Sequence, residues 1–99
     1  IIPARDEEQL IGRCIESIRL SAAQVSPTPP SLEIIVVLNR CTDRTEEVAL
    51  RAGARCIREE AKNLSAIRNA GARASTGEII ITIDADSRMS KNMIPKILG

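Results

Sequence analysis

The sequence contains no histidine and no phenylalanine, tyrosine or tryptophan. Without His it lacks the commonest general base and the commonest metal-ligating side chain. Ser-His-Asp catalysis, Cys-His catalysis and His-containing zinc sites are therefore excluded within these 99 residues. Without aromatics it lacks the platforms on which single-stranded nucleic acids stack, and a core has to be assembled from Ile, Leu, Val and Ala. Cysteine is sparse and odd in number: Cys14, Cys41 and Cys56, with no C-x-x-C spacing. That pattern supports neither a disulfide framework nor a Cys-rich zinc site. It reads Cys14 and Cys56 as small core residues in a reducing, cytoplasmic setting. No apolar run approaches the roughly 18 residues of a membrane span, and no stretch is laid out as a signal peptide. Any membrane attachment would lie in segments outside this sequence. Fourteen Lys plus Arg against thirteen Asp plus Glu give a net charge of +1, which excludes a polybasic arm, and no nucleic-acid partner is expected.

What is present is ordinary for a folded domain: 43% hydrophobic and 27% charged residues. A chain of this size buries somewhat over ~60% of its unfolded surface, enough for a modest core. Ile1-Ile2-Pro3 reads as the end of a strand. Asp6 to Gln9 has capping-box spacing, with Asp6 as N-cap, and Leu10, Ile11, Cys14, Ile15 and Ile18 form a helical stripe ending near Ser21. Prolines 27, 29 and 30 mark an irregular connection. Ile34 to Leu38 suits a buried parallel strand. Asp43 and Glu46 make a second capping box, and Gly53 is a natural helix stop. Arg55 to Arg58 is a weak strand, and a third helix covers Leu64 to Ala74. Ile79 to Ile83 is the most strand-like run in the chain, and Ser90 is placed to cap a last helix.

This βαβαβαβα alternation predicts an α/β fold, a Rossmann-like three-layer α/β/α sandwich on a mostly parallel sheet with right-handed crossovers. Residues 1–99 are read as one unit. The expected strand order is 3-2-1-4, which makes strands 1 and 4 neighbours whose connections leave in opposite directions. Ligands bind at such a switch point, beyond the carboxyl ends of the strands. Pro3 to Asp6, Asn39 to Asp43 and Asp84 to Asp86 should meet there.

Asp84-Ala85-Asp86 is the sharpest chemical signal. Two carboxylates about 4 Å apart repel by about 1 kcal/mol in water and about 4 at an effective dielectric of 20. Mg²⁺ or Mn²⁺, hard cations that use one or two carboxylates plus phosphate oxygens, would relieve that repulsion. The alternative is a surface turn in which Asp is favoured by turn geometry alone. Arg5 could pair a phosphate, and the helix N-terminus beside it offers free N–H groups. Glu8 is a better ligand candidate than Asp6, read as a cap. Asn39 carries both donor and acceptor and could read a base edge. Cys41 has no base to activate it and reads as a packed turn residue. Lys62, Asn63 and Arg68 flank the third helix, where cations could neutralise a diphosphate or simply be solvated.

Together these segments resemble the nucleotide-sugar half of a family 2 glycosyltransferase of the GT-A fold. The opening Pro-x-x-Asn/Asp-Glu pattern stands here as Pro3-Ala4-Arg5-Asp6-Glu7. The Val-Val-Asp-Asp-Gly-Ser-Thr-Asp-x-Thr pattern is Val36 to Thr45. Ala-Arg-Asn-x-Gly followed by Ala-x-Gly-Glu is Ile67 to Gly71 and then Ala74 to Glu78. The Asp-x-Asp motif is Asp84-Ala85-Asp86. The resemblance implies a donor pocket lined by Pro3, Ala4 and Glu8, with Asn39 facing the base and Lys62 or Asn63 near the base or phosphates. It implies that Asp84 holds the ribose or the metal's water shell, that Ala85 lies against the nucleotide sugar, and that Asp86 binds the metal on the diphosphate. The family's paired acids after strand 2 are Leu38 and Asn39 here, so neither UDP nor GDP follows. The family's catalytic base and acceptor site lie beyond the Asp-x-Asp motif, so the chain reads as a truncated donor half. An uncovered Ile79–Ile83 edge would favour self-association.

Two other readings compete. Ile83 to Ser87 also resembles the strand-end Asp-x-Asp of haloacid-dehalogenase-type phosphotransferases. That family expects Thr or Val where Arg88 stands, and places the motif on its first strand. A non-catalytic α/β binding module would show neither metal dependence nor nucleotide selectivity.

Overall fold

The computed structural model describes residues 1–99. Strands β1 (Ile2–Ala4), β2 (Ile35–Leu38) and β3 (Arg55–Arg58) form a parallel sheet in the order β1-β2-β3. Ile2 pairs with Val36 and Val36 with Cys56. Helices α1 (Ile11–Ala23), α2 (Thr45–Arg51), α3 (Leu64–Ala74) and α4 (Met93–Leu98) complete the fold. All four residues of β2 are buried, which is why this segment is apolar on both faces. Burying each such side chain contributes about 1.5–3 kcal/mol. Ile2, Ala4, Ile34, Val36 and Leu38 face Ile11, Cys14, Ile15 and Ile18 of α1 and Ala49 of α2. Ile35 and Val37 face Ile67 of α3.

This division follows from chain direction. The sheet grows the same way from β1 to β2 to β3, so right-handed crossovers put α1 and α2 on one face. After β3 the chain reverses across the sheet, and α3 covers the other face. The three-layer sandwich is as expected.

The expected fourth strand is reduced to one rung. The Ile1 ammonium donates to the Ile81 carbonyl at 2.8 Å, and the Ile83 N–H donates to the Ile1 carbonyl at 3.1 Å. These bonds lay residues 81–83 along the free edge of β1, at the position expected for strand 4. The ladder stops there for a chemical reason. Ala4 turns its carbonyl to β2, accepting from Asn39, so Pro3 faces the other edge, and proline has no N–H for the next rung.

Three expected caps differ. Asp6 is no N-cap: it adopts a left-handed φ of 52°, tolerable for Asp. A turn in which Leu10 and Ile11 donate to the Glu7 carbonyl delays α1 to Ile11. Asp43 accepts from Thr45 in the first turn of α2, but the residue at the cap position is Arg44. The Ser90 hydroxyl donates to Asn92 Oδ1 rather than capping α4. Gly53 stops α2 with φ 85°, as predicted. No helix is long and apolar enough to cross a membrane.

Candidate functional site

The loops after β1 and β2 lie side by side beyond the carboxyl ends of the strands, and each satisfies the other's backbone. Asn39 N–H donates to the Ala4 carbonyl at 2.8 Å, and Cys41 Sγ lies 3.3 Å from the same oxygen. Thr42 N–H donates to Asp6 Oδ1 at 2.6 Å. In return, Glu7 N–H donates to Thr45 Oγ1 at 2.8 Å and Glu8 N–H to Asp43 Oδ2 at 3.2 Å. Arg44 N–H reaches Glu8 Oε2 at 3.3 Å. Burial opposes the charge on Asp43, but hydrogen bonds from the Thr45 hydroxyl and N–H and the Glu8 N–H hold its carboxyl below the usual range.

The third segment is a turn closed by Ser87 N–H on the Asp84 carbonyl at 3.0 Å. Ala85, expected against the nucleotide sugar, is instead buried in the α1-side core, because its methyl packs with the apolar face of α1. Anchoring the middle residue leaves both neighbours, Asp84 and Asp86, exposed. Neither carboxylate has a hydrogen-bond or ion-pair partner in the protein. The Glu7 carboxyl is raised, first by burial and then by the charges of Asp86, Asp43 and Asp6. The charge of Asp86 thus reaches Glu7 in the loop after β1, beside those of Asp43 and Asp6. Two exposed carboxylates without partners are hard oxygen donors. Their chemistry fits Mg²⁺ or Mn²⁺ and not a soft metal.

The other expected residues divide. Arg5 is exposed beside the zipped loops, and Pro3 is half-buried. Ala4 points into the core, so only its backbone faces this end, and its carbonyl is already used. Asn39 is not available as a base reader. It is 4% exposed, and its amide donates to the Glu59 and Ala61 carbonyls at 2.6 and 2.7 Å. A buried amide needs such partners, and these fasten the loop that carries Lys62. Lys62 itself is exposed. Asn63 caps α3, accepting from Ser65 and Ala66. Arg68 is exposed on α3, with no contact tying it to the acidic segments. Glu7 and the buried Thr45 went unnoticed in the sequence as parts of this site. The Asp43-x-Thr45 spacing, which lets a carboxylate reach the N–H two residues on, is the signal that could have found Thr45.

Asp6, Cys41 and Asp43 also cluster, with ligand atoms within 4.8 Å. Both carboxylates there are occupied by the loop-to-loop hydrogen bonds, so the group is a structural knot. A cavity of about 510 Å³ lies at the other ends of the strands, among Ile1, Ile34, Ile79, Ile81 and Ile94. It is mainly apolar and holds none of the expected site residues.

Comparison with known proteins places this geometry. The family model of glycosyl transferase family 2 matches residues 1–99. Glucosyl-3-phosphoglycerate synthase of Mycolicibacterium paratuberculosis is 38% identical over 96 residues, covering 87% of this chain and 27% of the relative. An uncharacterised glycosyltransferase of Mycobacterium tuberculosis is 30% identical over 96 residues, covering 97% of this chain and 44% of its own length. Among solved structures, glucosyl-3-phosphoglycerate synthase of M. tuberculosis in complex with UDP superposes with a TM-score of 0.78. That match is 25% identical and covers 99% of this chain and 37% of the other. The chain thus spans less than half the length of these relatives. Matched along its whole length by the family model, and folded as that family's members fold, the chain belongs to glycosyl transferase family 2.

Proposed function

We propose that this chain is the donor-binding part of a glycosyltransferase. It binds a nucleoside-diphosphate sugar through a divalent cation at Asp84 and Asp86, for transfer of the sugar to an acceptor held outside these residues. The observation that carries the reading is the Asp84–Asp86 turn. Its two unpartnered carboxylates stand just past the residues that pair with the free edge of β1, and the charge of Asp86 reaches Glu7 in the loop after β1. The M. tuberculosis synthase has been solved with Mn²⁺, UDP-glucose and phosphoglyceric acid, which supports Mn²⁺ and a UDP-sugar as the first ligands to try.

Asp86 binds the metal directly, and Asp84 holds the ribose or the metal's water shell. Bound there, the cation supplies Lewis-acid stabilisation of charge developing on the leaving diphosphate. Pro3, Arg5 and Glu8 line the donor on the β1 side. Lys62, on the loop fastened by Asn39, serves the phosphates. The general base and the acceptor are contributed by chain beyond this one. Three free thiols suit the cytoplasm. Ile79 and Ile80 are 58% and 50% exposed, and this edge supports self-association; a single monomeric species in concentrated sedimentation runs would refute that point.

Calorimetric titration of UDP-glucose and GDP-mannose, with and without Mn²⁺, tests the reading. We expect metal-dependent binding of one of them, abolished in Asp86→Ala. Binding indifferent to both metal and Asp86 would favour a non-catalytic module.

A further inference from the structure

The face of α1 toward the core is built from Ile11, Cys14, Ile15, Ile18 and Ala22, and carries two buried hydroxyls, Ser17 and Ser21. A serine inside a helix and away from water is unfavourable unless its hydroxyl is fully used. Both are used, and by the same segment. Ser17 Oγ donates its single proton to the Cys14 carbonyl at 2.7 Å. Its lone pairs are thereby left to accept the Met89 N–H at 2.8 Å. One turn on, Ser21 Oγ accepts the Ile94 N–H at 2.9 Å and donates to the Lys91 carbonyl at 3.2 Å. Cys14 Sγ lies 3.5 Å from the Asp84 carbonyl. These three side chains, spaced three and four residues apart, form one stripe along α1.

The segment they grip has little else to hold its backbone. Its last sheet contact is the Ile83–Ile1 bond, and between there and α4 its own backbone bonds are the two turns at Ser87 and Met93. We infer that Ser17, assisted by Ser21, is a positioning residue for the Asp84–Asp86 turn. By fixing Met89 against α1, it sets where the Asp86 carboxylate stands relative to the loop after β1. The inference rests on the reading of Asp86 as a metal ligand. It assigns to α1, which contributes no ligand itself, control of the metal's geometry.

The test is Mn²⁺ binding to the 99-residue chain in the presence of UDP, read from the electron paramagnetic resonance signal of free Mn²⁺, alongside amide exchange at Met89. Ser17→Ala is expected to weaken Mn²⁺ binding about tenfold and to speed exchange at Met89. Ser17→Thr, which keeps the hydroxyl, should restore the affinity. Ile67→Val trims the core on the opposite face and should lower stability while leaving Mn²⁺ affinity unchanged. Parent-like Mn²⁺ affinity in Ser17→Ala overturns the positioning role. If Ser17→Ala is too unfolded to titrate, the titration is repeated with trimethylamine oxide added to restore the fold, and parent-like affinity there overturns the role equally. If the parent binds no Mn²⁺, or binds it as well in Asp86→Ala, the metal reading itself has failed, and the role of Ser17 falls with it.

Discussion

The side-chain amide of Asn39 donates to the carbonyl of Ala61, 2.7 Å away and 22 residues further along the chain. A second bond to the Glu59 carbonyl makes Asn39 the fastener between β2 and the loop after β3. Asn39→Ala should therefore cost about 1–3 kcal/mol in urea unfolding, because two carbonyls lose a buried partner. Asn39→Asp should be no better near neutral pH, since a carboxylate would face two carbonyl oxygens. It should recover on acidification, as a protonated carboxyl can donate. A change in either variant confined to nucleotide affinity, with stability intact, would show that Asn39 reads the base after all.

Gly71 is where α3 presses closest to the sheet. A Cβ there would lie 2.5 Å from Ile1 Cγ2 and 3.1 Å from Val37 Cγ2. The Ile1 side chain is packed against the cluster of Ile35, Val37 and Ile67, so turning it aside would disturb that packing. Gly71→Ala sets an overpacking cost of about 1–3 kcal/mol against a helix-propensity gain of about 1. We expect a net loss of stability in thermal or urea unfolding. A more stable Gly71→Ala chain would mean that α3 can lift off the sheet freely.

Glu33 ties the β2 approach to the end of α3. It accepts from the Thr76 N–H at 2.9 Å and from the Thr76 hydroxyl at 3.1 Å, and Arg55 lies 3.2 Å away. The Thr76 N–H, ahead of the Thr76 hydroxyl and Arg55, holds its carboxyl below the ordinary range despite an opposing burial effect. A group lowered in the folded state stabilises the fold above its unfolded pKa, and that stability is lost as pH falls through the folded value. Stability should decline on acidification below about pH 4.5, and Glu33→Gln should flatten that decline. Parallel acid curves for the two proteins would exclude the latch. Glu7 works in the opposite sense: its raised carboxyl favours the fold at low pH and loses that contribution as pH rises.

Burial pushes the Cys14 thiol up to about 11, and the side chain is inaccessible on the inner face of α1. Thiolate is the reactive form, so Cys14 should be the last thiol modified by a disulfide reagent at pH 8. Its rate should rise to that of an unfolded thiol in strong urea. Fast modification of Cys14 in the native protein would contradict the packing of α1.

Apolar spacing in the sequence was enough to place the layers. Ile34 to Leu38, apolar on both faces and rich in β-branched residues, suits an inner strand better than an edge, and the stripe from Ile11 to Ile18 packs against it. Asp84-Ala85-Asp86 could be marked because its chemistry is local: two carboxylates flank one small apolar residue that the core takes up. Contacts across the fold decided the rest. Asp6 has the local pattern of a cap, yet its carboxylate goes to Thr42, 36 residues away, once the first two strands lie side by side. Asn39 looks like a free amide until β3 brings Glu59 and Ala61 beneath it. Ile79 to Ile83 has every local mark of a strand and keeps a single rung, because the neighbour it meets presents Pro3. Backbone periodicity is written in adjacent residues. The partner of a polar group, or the missing N–H of a neighbour, is known only when the chain has folded back on itself.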